Sequence, residues 1–357
     1  MSFRQTFLAL AAVPLFLSPT AHAAGFRDGL DIPARTSPFA AKSLLNGVAS
    51  AGQRLVAVGQ RGHIVYSDDA GQSWQQARVP VSSDLVAVSF PTPETGWAVG
   101  HDGVVLHSAD GGASWTRQLD GRALGKLMTD YYGAQAARGT LGSPETAAAL
   151  IDEAGRIAAQ GAENTFLDVW FADRNHGFIV GAFNLILQTR DGGKSWEPWY
   201  HRTDNPNRLH LYALRQVGND LYLVGEQGMV QKFDAARGRF VALDTGYKGT
   251  FFGLTGTAAA VVVHGLRGHA FRSADGGKTW QKIETGLQDG ITGSASCGDR
   301  RLLLVSQAGR MLLSDDDGRQ FRPVKLDQAV PASAVACFGR DTGVIAGARG
   351  VRAVTVQ

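Results

Sequence analysis

Short apolar runs alternate with glycine-rich turns along most of the chain. One unit reads Leu85-Val86-Ala87-Val88-Ser89-Phe90, a turn, Gly96-Trp97-Ala98-Val99-Gly100, a turn, Val104-Val105-Leu106-His107, then a third turn before Trp115-Thr116-Arg117-Gln118. Runs this short, bounded by Gly, Asp and Ser, read as strands joined in hairpins. The third turn carries the pattern Ser/Thr-x-Asp-x-Gly-x-Ser/Thr-Trp at residues 67–74, 108–115, 189–196 and 273–280. A worn copy at 314–321 puts Phe321 in the Trp place, and a poorer one surrounds Phe233 to Phe240. The Asp of each copy (Asp69, Asp110, Asp191, Asp275, Asp316) is suited to accept backbone N–H bonds, and the Gly to supply a positive φ. The Trp (Trp74, Trp115, Trp196, Trp280) can bury a large face against its own hairpin. This motif builds a turn and performs no chemistry.

Its copies are spaced 40 to 44 residues apart, with one interval of 81. A period near 40 with four short strands per unit predicts propeller blades. A second turn counts them: Gly59 to Gly62, Gly100 to Gly103, Gly181 to Asn184, Gly225 to Gly228, Gly265 to Gly268, Ser306 to Gly309, and Gly347 to Gly350. The expected fold is all-β, a seven-bladed β-propeller over residues 24–357. The seventh unit has three strands, and residues 30–35 (Leu-Asp-Ile-Pro-Ala-Arg) are expected to supply its outer one, where an edge tolerates Pro33. Residues 121–163 break the period. Leu124, Leu127, Met128 and Tyr131, then Ser143-Pro144-Glu145 before Ala147, Leu150, Ile151, Ala154 and Ile157, predict a helical hairpin between blades two and three. It should rise beside the Gly-x-x-Gly turns, opposite the Asp-containing ones.

Residues 1–23 read as an export signal: Arg4, an apolar run from Thr6 to Leu17, then Ala21-His22-Ala23 as a small-x-small cleavage pattern. No Cys follows closely, so a soluble, exported or periplasmic product without a lipid anchor is expected. Cys297 and Cys337 lie one period apart. An oxidising compartment permits a disulfide, but matching sites in adjacent blades are expected to lie too far apart, leaving two buried thiols. The net charge of +3 gives nucleic-acid binding no global support.

Candidate chemistry concentrates in the Gly-x-x-Gly turns, because loops on one face of such a scaffold carry function. The residue before the closing position is Arg61, Asp102, Phe183, Gln227, Arg267, Ala308 or Arg349. Three guanidinium groups on one rim would suit a carboxylate-rich partner. His101, Asp102 and Gln227 complete the expected binding set. His101, Glu226 and His264 share this face without metal-ligand spacing, and no metal or cofactor is expected. Gly192-Gly193-Lys194-Ser195 and Gly276-Gly277-Lys278-Thr279 imitate a phosphate loop but belong to the Asp-containing turns.

The Asp-containing motif is the Asp box of sialidases, so a glycoside hydrolase is one alternative and a cell-envelope glycan-binding protein another. A hydrolase needs paired acids near the axis. Asp168 is the main inward-strand acid, and the Phe/Tyr-Arg-Ile-Pro signature is missing from residues 30–33. The wording of residues 85–90, 96–103 and 108–115 resembles the photosystem II stability and assembly factor family. That resemblance implies a seven-bladed, non-enzymatic propeller of the lumen or periplasm; a monomer is expected. It would bind a membrane-protein subunit or its exposed tail through an arginine-rich face, here Arg61, Arg267 and Arg349. Relatives in non-photosynthetic bacteria make a membrane exporter an equally natural client.

Overall fold

The computed structural model describes residues 27–356. The export signal read at residues 1–23 lies outside them. The described residues form seven antiparallel sheets, each a simple meander in chain order. The inner strands are Leu45–Ala51, Leu85–Ser89, Phe166–Phe171, Leu211–Val217, Phe251–Thr257, Ile291–Ser296 and Ala332–Phe338. Each packs on the next and the seventh packs on the first, so the ring is closed. Second strands such as Gly96–Gly100 and Gly177–Gly181 are buried throughout, which explains their unbroken apolar character. Small residues let inner strands approach: a Cβ on Gly293 would lie 2.8 Å from the Ala334 Cα of the next blade.

The Asp boxes are self-contained knots. Ser73 donates to Asp69 from its N–H at 2.8 Å and from its hydroxyl at 2.5 Å. The Ser67 hydroxyl donates to Asp69 at 2.7 Å and accepts the Gly71 N–H at 2.8 Å. The Trp74 indole N–H closes the turn on the Gly71 carbonyl at 3.2 Å. Hydrogen bonds from Ser73, then Ser67, hold the Asp69 carboxyl down to about 2. Thr279 and Ser273 likewise hold Asp275 well below its ordinary value. Burial opposes the same effect at Asp110, Asp191 and Asp316, where the hydrogen bonds still prevail. A depressed folded-state value contributes stability above the ordinary carboxylate range and loses it as pH falls through the folded value. The boxes should therefore add a drop in melting temperature between about pH 4 and 2, following the loss that begins near pH 6.5 from the buried His201 and His264, both pushed down to about 4 by burial. Asp275→Asn should melt lower at neutral pH and show a shallower acid slope; an unchanged slope would remove the boxes from the acid response.

Two expectations require correction. Residues 30–35 do not complete the seventh blade. They run as a strap outside blades one and two: the Ala34 N–H reaches the Val79 carbonyl at 3.0 Å, and Gln76 bonds both Ser37 and Arg35. Leu30 decides the path, since it is buried beside Val79, Val81 and Trp115. Arg117 and Arg122 then pin the strap through Leu30, Asp28 and Asp31. The second correction is Cys297 and Cys337, which form a disulfide with Cα atoms 5.3 Å apart. The small residues that bring the inner strands of blades six and seven together also bring these positions within bonding range.

The inserted hairpin is present as α1 (Gly121–Ala137) and α2 (Pro144–Gln160). Asp120 caps α1, and Ser143 caps α2 with Pro144 in its first turn. Gly125 meets Ala158 so closely that the helices touch there, and Leu124, Met128, Tyr132, Leu150, Ala154 and Ile157 join the core of blades two and three.

Candidate functional site

In the first five blades the turn joining strands two and three places its third residue in the left-handed region: Arg61 at φ 55°, Asp102 at 59°, Phe183 at 53°, Gln227 at 54° and Arg267 at 56°. The closing residue is left-handed too, which explains four glycines and Asn184 (φ 66°). Space demands the same choice, because a Cβ on Gly62 would meet the Val81 carbonyl oxygen at 2.1 Å. Blades six and seven make tighter turns in which only Gly309 and Gly350 are left-handed. Acids on the inter-blade connections fix the turns from below: Asp84 accepts the Arg61 N–H at 2.7 Å, and Asp289 accepts that of Ala308 at 3.1 Å.

This geometry leaves Arg61, Arg267 and Arg349 exposed, and none of them makes an ion pair among the described residues. The Arg349 and Arg61 turns share one segment. Residues 41–44 pass from a contact between the Ala41 carbonyl and Gly350 to a bond between the Leu44 carbonyl and the Gln60 N–H. Arg267 stands two blades away, and exposed Gln227 one blade before it. On the opposite face Arg54, Arg174, Arg300 and Arg301 are each held by carboxylates. Exposed Phe183, Leu266 and Leu44 stand among or beside the same turns as the free arginines, at 49%, 39% and 38% exposure.

A feature that sequence reasoning missed lies just below the turns. Every inner strand is irregular at its second residue, so Asn46, Val86, Leu167, Tyr212, Phe252, Thr292 and Ser333 are bulged out of register. All seven line a central cavity of about 500 Å³. Its mouth is aromatic on one side. Phe183 packs on His210 with ring centres 4.5 Å apart, His210 on Tyr212 at 6.2 Å, and Tyr212 on Phe252 at 5.7 Å. The signal available was the second position of each Leu-x-x-Val run, but only pairing registers reveal a bulge.

The remaining predicted residues do not converge. His101 reaches the cavity and lies 3.4 Å from the Thr165 hydroxyl, while Asp102 stays on its turn. Glu226 accepts the His210 N–H at 2.7 Å. His264 is buried between the Ile291 carbonyl and the Ser294 hydroxyl, and burial pushes it down to about 4. Asp168 accepts the Leu214 N–H at 2.8 Å and pairs with Arg215. It is the one carboxylate among the described residues lining the cavity, so the acid pair of a glycosidase is not assembled there.

The hairpin rises beside this face, as expected. Buried Glu153 of α2 pairs with Arg156 and with Arg208 of the connection to blade four. Burial works to raise its carboxyl, and hydrogen bonding and charge from Arg156, then the charge of Arg208, hold it down instead. The Tyr200 hydroxyl lies 3.1 Å from Glu153 and 2.7 Å from the Phe183 carbonyl, tying the hairpin to the third blade's turn.

Among known proteins, the family described as photosynthesis system II assembly factor YCF48 matches residues 44–129 and 151–238, and the BNR/Asp-box repeat matches residues 271–282. The photosystem II assembly lipoprotein Ycf48 of Synechococcus sp. (strain CC9902) is 24% identical over 156 residues. That match spans 43% of this chain and 46% of the relative, so under half of the relative's length is covered. The solved structure of YCF48 bound to D1 peptide superposes with a TM-score of 0.64 at 16% identity, covering 91% of this chain and 99% of that one. YCF48 from Cyanidioschyzon merolae gives 0.60 at 17% identity, covering 90% and 97%. Among the described residues no helix is long and apolar enough to cross a membrane.

Proposed function

We propose, for a chain that belongs to the photosystem II assembly factor family of Asp-box propellers, that it is an exported, non-enzymatic scaffold. It holds a membrane-protein subunit by its exposed tail on the Gly-x-x-Gly face. One observation carries this reading. The guanidinium groups of Arg61, Arg267 and Arg349 project from rigid turns with no carboxylate partner among the described residues, with exposed Leu266 in the Arg267 turn and exposed Phe183 in the corresponding turn of blade three. Free guanidinium groups on fixed backbone recognise carboxylates at little ordering cost, and neighbouring apolar side chains add contact area. A solved neighbour of the same fold carries a D1 peptide, which supports a peptide tail as the kind of ligand. The client here is a photosystem subunit or another integral membrane complex such as an exporter. Residues 1–23 and the disulfide both support an oxidising compartment such as the periplasm, reached after cleavage near Ala23.

Affinity capture from solubilised membranes tests this reading. The tagged protein should retain one membrane protein, and a folded triple variant with Arg61, Arg267 and Arg349 changed to Glu should retain it about tenfold less or worse. Equal retention by both would remove the arginine face from the mechanism.

A further inference from the structure

Among the described residues, six blades have four strands and the seventh has three: Ala332–Phe338, Thr342–Gly347 and Gly350–Thr355. The last of these is an open edge with a defined set of free groups. The Val356 N–H donates to the Asp341 carbonyl at 2.8 Å, which fixes the alternation along the strand. Gly350, Arg352 and Val354 face the ladder with Thr342–Gly347, and Val351, Ala353 and Thr355 turn their N–H and carbonyl groups outward. Among the described residues those outward groups have no backbone partner.

The upper end of the slot is nevertheless built. In blades one, four, five and six the closing glycine packs on the connection leaving the fourth strand, at the carbonyls of Val81, Tyr247, Leu287 and Val330. In blade seven Gly350 packs on the Ala41 carbonyl in the same way. The chain then departs along the strap to blades one and two, held there by Leu30, Asp28 and Asp31. It thus supplies the exit of a fourth strand without the strand.

We propose that this edge takes up an extended segment of the client as the fourth strand of blade seven. The inference rests on the scaffold reading above and gives it a binding mode. Main-chain pairing would supply the affinity, as in other strand additions, and charge selects the occupant. Exposed Arg349 and Lys42 stand at the upper end, and Arg352, bonded to the Gln328 carbonyl, lies alongside. Between Arg349 and Arg352, Val330, Pro331 and Ile345 help to line a cavity of about 160 Å³, room for one apolar side chain. The matching ligand is an extended, acidic peptide with an apolar residue among its carboxylates.

The test is amide exchange on the whole protein with a twelve-residue peptide of alternating Glu and Val, beside its N-methylated counterpart. The first peptide should slow exchange at Val351, Ala353 and Thr355 about tenfold, and the second should not. Ala353→Pro removes one outward donor and leaves the inner ladder intact, so it should abolish the protection without changing the melting temperature appreciably. No protection in the wild-type protein overturns the proposal. So does a dimer in which these amides are already protected without peptide, because a second copy would then fill the edge. Membrane capture separates the two readings. A client retained equally by the Ala353→Pro protein leaves the scaffold standing and removes the strand. A wild-type protein that retains no client removes both.

Discussion

Trp97→Ala should destabilise the protein by about 3–5 kcal/mol, seen as a lower denaturant midpoint at unchanged slope. Trp97 is wholly buried and stacks on Phe171 of the next blade, ring centres 3.5 Å apart and planes 5° from parallel. Its indole N–H donates to Gln118 at 3.0 Å, and Gln118 in turn donates to the Gly192 carbonyl of blade three at 2.9 Å. One residue therefore holds both the apolar and the polar halves of the joint between blades two and three. That is the joint the helical insertion interrupts in sequence, so the ring depends on side chains there more than on a short connection. Trp97→Phe keeps the stack and loses the hydrogen bond, and should cost clearly less than alanine. Equal losses would mean that the Gln118 link, rather than the buried ring, sets the stability of this joint.

The second large effect is expected at the cysteines. Cys337→Ser should lower stability by about 2–4 kcal/mol, because the bond to Cys297 removes freedom from an unfolded loop of 40 residues. Equilibrium unfolding with and without reductant measures it. The oxidised wild type should stand above the reduced wild type by that amount, and the variant should not respond to reductant. A wild-type protein equally stable in both conditions would show that packing of the inner strands alone closes blades six and seven. The disulfide joins the inner strand of the same blade whose outer edge is open.

Much of the ring was legible in the chain. Repeated Asp boxes and seven Gly-x-x-Gly turns gave the blade count because each demands a backbone conformation few residues allow. The helical hairpin was legible from Ser143-Pro144 and its apolar stripe. The arginine turns were legible as positions, since Arg61, Arg267 and Arg349 sit where the left-handed or tight turn forces a side chain outward. Three things were not. The bulges that line the channel depend on register between strands, which local composition does not encode. The path of the strap was set by one buried residue, Leu30, whose neighbours Val79, Val81 and Trp115 lie 49 to 85 positions away. The disulfide required knowing how near two inner strands run, which follows from Gly293 meeting Ala334.

The strap also bears on the order in which the molecule is made. Its contacts are with blades one and two and the start of α1, so the partners it needs have all been synthesised once Arg122 has been, about a third of the way along the chain. A ring whose ends are interleaved in one blade must wait for its last residue before any terminus is fixed. Here the leading end can settle early, and the remaining blades can add in succession on a seated start. Ring closure then needs the trailing blade, tied to blade six through Cys297 and Cys337, to meet the first.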